Sequence, residues 1–335
     1  MPLLSRFVLL LSFLGAISPS LMAQSRGDLV QKTLLESWSQ NQIRSAYTQL
    51  GLAEFLSPIE YDIDIFKITY YTRAVREDTL IIASGLLVIP KGDCDFPLVG
   101  YGHGTTFYNA IPSDRSSQEW LLGVPFAANG YIMALPDYLG YGETPKEHPH
   151  PYVHARSEAW AMVDMLRASR QVAEMDSIRL NDQVFLIGYS QGGHAAMAAH
   201  REIETYHANE FDLTVVAPCS GPYDVSGVQF QDITSEKPTS AFYLAFVMTS
   251  YQYVYGNLWQ DPSDAFVAPW DSLIPRYFDR QNPQPVPLPD TAIRMLQPSY
   301  IQAVLADSMH PAMQALRDND LTNWTPQAPT RMYYC

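Results

Sequence analysis

Basic side chains, cysteines and long apolar runs are scarce in this 335-residue chain, and each scarcity closes off a class of protein. Lys and Arg number 21 against 35 Asp and Glu, a net charge of −14. With no basic cluster along the chain, neither nucleic acid nor an anionic membrane surface finds an electrostatic partner. Charged residues make up only 17% and hydrophobic residues 47%, which excludes a disordered chain and suits a large buried core. Three cysteines, Cys94, Cys219 and Cys335, are too few for a disulfide-dense scaffold. A Cys94–Cys219 pair would leave Cys335 single. After the N-terminus the most apolar stretch, Ala241 to Leu258, is broken by Thr249, Ser250, Gln252, Gly256 and Asn257, so it does not read as a membrane span. Repeats and low-complexity tracts are absent as well.

What the N-terminus does have is a targeting pattern. Arg6 precedes the apolar run Phe7 to Ile17, which is short for a bilayer, and Ser18-Pro19-Ser20-Leu21-Met22-Ala23 follows. This reads as a signal peptide over residues 1–23 cut after Ala23, with an uncleaved anchor as the alternative because Leu21 is large for a cleavage site. Export follows, secreted or periplasmic, with no stable membrane span once the signal is removed.

From residue 60 onward strand-type and helix-type segments alternate. Tyr61 to Tyr71 and Thr79 to Pro90 flank Arg76-Glu77-Asp78 and predict an antiparallel hairpin at a sheet edge. The runs Pro97 to Tyr101, Tyr131 to Leu135, Gln183 to Ile187 and Leu213 to Ala217 read as buried parallel strands. Helical patterns near Gln118 to Asn129, over Ala155 to Met175 and after Ser190 separate them. The expectation is an α/β fold: a mainly parallel sheet flanked by helices, with loops at the strands' carboxyl ends forming the site.

One of those loops carries chemistry. Gly188-Tyr189-Ser190-Gln191-Gly192-Gly193 joins the strand Gln183 to Ile187 to the small-residue helix beginning His194-Ala195-Ala196. A Gly-x-Ser-x-Gly match alone is weak in a chain with 18 Gly. Between a strand and a helix it becomes a nucleophile elbow, with Ser190 in strained geometry at a helix N-terminus that favours negative charge.

The ordered succession Tyr101-Gly102-His103-Gly104-Thr105, Pro136 to Gly142, His150 to His154, Gly188 to His194 and Ala217 to Asp224 resembles the secretory-lipase branch of the α/β-hydrolase superfamily, over about residues 60 to 335. The resemblance implies carboxylester hydrolysis by a Ser, Asp, His triad in that chain order, with a helical cap inserted after the sixth strand. It divides the chain into a signal peptide (1–23), a hydrolase core (24–222), a cap (223–328) and the start of a seventh core strand (329–335).

Site residues follow from the same pattern. The oxyanion would be held by the N–H of Gln191 and by that of Thr105 or Thr106 in the loop His103-Gly104-Thr105-Thr106. The acid and base would fall beyond Cys335, leaving the polypeptide as written nearly inactive and poorly stable; Asp224 is the alternative acid. His194, His200 and His207 lie along the elbow helix and His310 lies in the cap, so none is placed as the base. His148, His150 and His154 read as a helix-entry loop, and no metal or other cofactor is expected. The segment Tyr223 to Ala328 presents Phe242, Tyr243, Phe246, Val247, Tyr251, Val254 and Tyr255 at helical spacing, suited to a hydrophobic ester, a small-molecule or lipid substrate. Two other readings stay open: a peptidase of the same fold, and a truncated or non-catalytic protein that kept the fold.

Overall fold

The computed structural model describes residues 23–55, 58–106, 110–278 and 287–334. The signal-peptide reading, apart from its last residue Ala23, and Cys335 lie outside those residues.

Seven strands form one sheet in the order β1-β2-β3-β5-β4-β6-β7. They are β1 (Leu29–Trp38), β2 (Asp62–Arg73), β3 (Leu80–Lys91), β4 (Phe96–Gly102), β5 (Ile132–Pro136), β6 (Leu180–Tyr189) and β7 (Asp212–Cys219). β1, β2, β3 and β5 pair antiparallel in turn, while β5, β4, β6 and β7 pair parallel. Strand β2 therefore points the same way as the four parallel strands, and only β1 and β3 oppose them. The hairpin expected at the sheet edge is β2–β3, but it is not the edge: β1 lies outside it. Sequence reading missed β1 because its side chains are mostly half-buried or exposed, so the strand has no clean alternation.

Helices cover both faces. They are α1 (Gln40–Gln49), α2 (Gly123–Ala128), α3 (Ala155–Met175), α4 (Gln191–Tyr206), α5 (Phe230–Ile233), α6 (Ala241–Tyr255), α7 (Pro262–Ala265), α8 (Trp270–Tyr277), α9 (Pro298–Ala306) and α10 (Pro311–Asp318). The period-2 geometry of the strands divides the core. Leu87, Ile89, Leu98, Ile132, Ala134, Val184 and Leu186 face α3 and α4. Leu86, Val88, Val99, Met133 and Leu135 face α1 and α2 through Ile43, Tyr47, Val124 and Ala127. Alanines 195, 196, 199, 161 and 168 line the α3–α4 side of the core, and their small size lets α3, α4 and the sheet approach closely. Asp164, fully buried on α3, fastens the chain start to this layer through Arg26, Arg167 and Thr72.

After β7 the chain makes helices α5 to α10, and among the described residues its only β pairing before residue 330 is the isolated bridge Phe266–Leu296. Helix α6 is apolar nearly all round, as a helix buried on several sides must be. Leu244, Ala245 and Met248 pack toward α8 and α9, Tyr251 toward α10 and Phe246 toward Tyr152 and Val153 of the core. The chain then returns to the sheet. Thr330 and Tyr333 bridge in parallel to Val216 and Cys219 of β7, with Arg331 N–H donating to Val216 and Tyr333 N–H to Pro218.

Cys94 and Cys219 do not pair; each is a free thiol. Cys94 precedes β4 and Cys219 ends the parallel strand β7, so the sheet holds them at opposite ends.

Candidate active site

The elbow forms because two strands and a helix meet where only backbone fits. Gly102 and Gly188 end β4 and β6 opposite one another, and the first turn of α4 rests on both. A Cβ at Gly192 would lie 1.9 Å from the carbonyl oxygen of Gly102, and one at Gly188 would lie 2.1 Å from that of Gly192. Ser190 bridges strand and helix at φ 56°, ψ −121°, a conformation costing a non-glycine residue about 1–3 kcal/mol. Its N–H donates to Cys219 O at 2.9 Å and its carbonyl accepts from Gly193, so the strain is held from β7 and from within the turn.

The loop after β4 runs beside this turn: a Cβ at Gly104 would lie 3.6 Å from Tyr189 O and 3.9 Å from Ser190 Cβ. The Thr105 hydroxyl pairs with Tyr152 OH at 2.8 Å, and Tyr152 stacks on Phe246 of α6 at 4.4 Å. The Thr106 carbonyl accepts from Tyr141 OH, while the Thr106 hydroxyl is buried without a hydrogen-bond partner among the described residues. The ring nitrogens of His103 face the carbonyls of Gly104 and Asp137, and the ring stacks on Tyr138 at 4.2 Å. His103 thus shapes the loop. Gln191, as the first residue of α4, has an N–H that no carbonyl within the helix reaches. The elbow and the β4 loop thus bring Ser190, Gln191, Thr105 and Thr106 to one end of the sheet.

The remaining candidates are engaged elsewhere. Asp224 caps the turn Val225–Gln229, its carboxylate accepting from Val228 N–H at 3.1 Å. Asp137 accepts from Ser84, from the Ser113 hydroxyl and from the Ser113 N–H, and burial raises its pKa. Of the eight histidines, none hydrogen-bonds Ser190 through its side chain among the described residues; only the His194 backbone N–H reaches the Ser190 carbonyl, at 3.3 Å. His194 meets Glu158 and Asn319, and His200 meets Glu204. His207 meets Arg167, and His310 caps α10. His148 meets Tyr253 and His150 meets Leu139 and Gln191. His154 bonds Ser157, and burial pulls its pKa down to about 3. The 148–154 cluster does not converge: no group of three or more His, Cys, Asp or Glu suited to a metal ion occurs among the described residues.

Ser190 and Gln191 open into a cavity of about 640 Å³ between the sheet end and α5, α6, α9 and α10. Its walls include Tyr152, Val225, Leu244, Val247, Met248 and Ile301, with Asp232 and Lys237 among its few charges. The sequence signalled the aromatic α6; Leu296, Ile301, Val304 and Leu316, which also line the cavity, were not singled out. For Ile301, Val304 and Leu316 the sequence signal is the short apolar turns following Pro298 and Pro311.

Residues 115–235 match the secretory lipase family model. Among solved structures, the rice cell wall degrading esterase LipA from Xanthomonas oryzae superposes with a TM-score of 0.81 at 30% identity, over 92% of this chain and 83% of that one. A putative hydrolase from Legionella pneumophila does so at 0.79 and 25%, over 91% and 83%. Lipase A from Candida antarctica shares the fold at 0.62 and 12% identity, over 93% and 70%. Among curated proteins no sequence matches. With the elbow between β6 and α4 and these likenesses over nearly the whole described chain, the protein belongs to the secretory lipase family and has the α/β-hydrolase fold, a hydrolase of the lipase and esterase kind.

Proposed function

We propose that this protein is exported and cleaves carboxylic esters of hydrophobic acids through an acyl-enzyme on Ser190. The observation that carries the reading is the strained Ser190, set between β6 and α4 and opening into the apolar cavity. In this reading the segment 223–328 is a cap that supplies the walls for the acyl chain, and residues 1–23 direct export.

Chemistry proceeds in two halves. The Ser190 hydroxyl attacks the ester carbonyl, and its proton passes to a general base. In this reading the tetrahedral oxyanion is held by the N–H of Gln191 and that of Thr105 or Thr106, backbone donors whose positions are set by the fold. Collapse expels the alcohol, which takes a proton, and water then attacks the acyl-serine and releases the acid. Helix α4 starts at the serine, so its dipole also favours the negative charge. Among the described residues no helix is long and apolar enough to cross a membrane.

The test is labelling and turnover on the full-length protein. A fluorophosphonate probe should modify Ser190, p-nitrophenyl esters should be hydrolysed in preference to aminoacyl anilides, and Ser190→Ala should abolish labelling and lower turnover on the order of 10⁶-fold. Labelling or ester turnover that survived in Ser190→Ala would overturn the assignment.

A further inference from the structure

Behind the elbow lies a buried polar chain that the ester reaction does not itself require. The Gln191 side chain is buried and donates from Nε2 to Glu158 Oε1 at 2.8 Å and to His150 Nε2 at 2.7 Å. His150 Nδ1 faces the carbonyl oxygen of Leu139 at 2.7 Å. That oxygen only accepts, so Nδ1 carries the proton and Nε2 offers its lone pair to Gln191. On the other side Glu158 Oε2 meets His194 Nδ1 at 2.6 Å, and His194 Nε2 faces the Asn319 carbonyl at 3.0 Å. By the same rule Nε2 donates there. Glu158 and His194 are 1% and 0% exposed, so water does not compete for the contact between them.

We propose that Glu158 and His150 are positioning residues for the oxyanion donor: by fixing both amide hydrogens of Gln191 they set the direction of the Gln191 N–H. This rests on the reading of Ser190 and Gln191 given above. The N–H and the side chain of Gln191 leave the same Cα. A rotation of the Ser190–Gln191 peptide that swung the N–H away from the oxyanion would therefore be resisted by the two hydrogen bonds that Nε2 donates. A merely structural account is weaker. Glu158 sits in the first turn of α3, where the helix dipole favours a carboxylate, yet a buried, paired carboxylate is often no more stabilising than apolar groups of similar volume, and Gln191 Oε1 stays buried without a hydrogen-bond partner among the described residues. Such an arrangement has a use where orientation matters more than stability. A displaced oxyanion donor acts on the transition state and hardly on substrate binding, so its signature is a fall in kcat at constant KM.

The experiment compares Glu158→Ala, Glu158→Gln and Gln191→Met with wild type in the full-length protein, following p-nitrophenyl ester kinetics and hydrogen exchange of the segment 188–194. Complete loss of one oxyanion donor costs about 10²–10³-fold in kcat. Misdirection by Glu158→Ala or Gln191→Met should cost about 10- to 100-fold with KM within about threefold, and should speed exchange in 188–194. Glu158→Gln keeps an accepting oxygen for Gln191 and should recover most of the loss. The proposal is overturned if Gln191→Met turns over at the wild-type rate, if kcat falls only with the folded fraction, or if exchange in 188–194 is the same in wild type and Glu158→Ala. Absence of ester turnover in wild type would remove the proposed function, while the exchange comparison would still decide whether Glu158 holds the turn. Should Glu158→Ala fail to fold, Gln191→Met, which leaves the Glu158–His194 pair in place, decides the question.

Discussion

Replacing Gly192 by alanine tests the elbow at its tightest point. The added Cβ would stand 1.9 Å from Gly102 O and 2.3 Å from the carbon that bears it, against a limit near 3.0 Å for real Cβ contacts, so something has to move by more than 1 Å. The obstructing atoms are backbone. Gly102 is paired to Gly188 across β4 and β6, and Gly188 is itself in contact range of Gly192 O, so neither strand can yield without breaking the ladder. Overpacking against side chains that can relax costs about 1–3 kcal/mol. Here the cost should be about 3 kcal/mol or more, a fall in melting temperature of at least about 6 °C at 2–4 °C per kcal/mol. Ester turnover should fall as well, because α4 carries both Ser190 and Gln191 away from the β4 loop. Gly51→Ala is the control: Gly51 has φ +71° and nothing within 4 Å, so alanine there meets only left-handed strain of about 1–2 kcal/mol. Melting curves for the two variants decide the matter. If Gly192→Ala melted within about 2 °C of wild type and kept its activity, the close packing of β4, β6 and α4 would not be what holds the elbow.

Other consequences can be checked with similar effort. His154 has a pKa pulled down to about 3 by burial, so between there and the ordinary histidine value of about 6.5 the unfolded chain binds the extra proton, and stability falls as pH falls through that window. His154→Gln should remove this dependence, changing the stability difference from wild type by up to about 3 kcal/mol between pH 7 and pH 4; parallel urea titrations at the two pH values read it. Asp224→Ala should lose its cap, about 1 kcal/mol, and keep ester turnover within a few fold, whereas a loss of about 10⁴-fold would make Asp224 the catalytic acid. Val247→Trp should fill part of the 640 Å³ cavity and reduce long-chain relative to short-chain ester hydrolysis by about tenfold or more; equal effects on both chain lengths would place the acyl group elsewhere.

Local chemistry made much of this protein legible from residues alone. The alternation of buried runs and helices gave the parallel half of the sheet, because strands covered on both faces read as continuous apolar runs. Helix α3 was read over Ala155 to Met175, the span the structure gives it. The elbow was visible because a strand, a serine between glycines and a small-residue helix occur in immediate succession, although the strain at Ser190 is held partly from β7 through Cys219 O. Strand β1 was hidden since its pairing with β2 depends on residues 25 to 41 positions away and leaves little periodic trace in its own side chains. The Ser39–Gln42 capping box of α1 was the nearby signal that could have been used.

Tertiary structure alone decided the rest. Glu158, His150 and His194 are unremarkable polar letters on α3, the preceding loop and α4; only the packing of α4 against α3 and the return of the chain at Asn319 join them behind Gln191. The cavity beneath α6 likewise draws its walls from segments between residues 152 and 316. Backbone conformation and burial periodicity arise from neighbours along the chain and can be read there. Hydrogen-bond partners and cavity walls are chosen by contacts between distant segments, and these exist only once the sheet has brought the segments together.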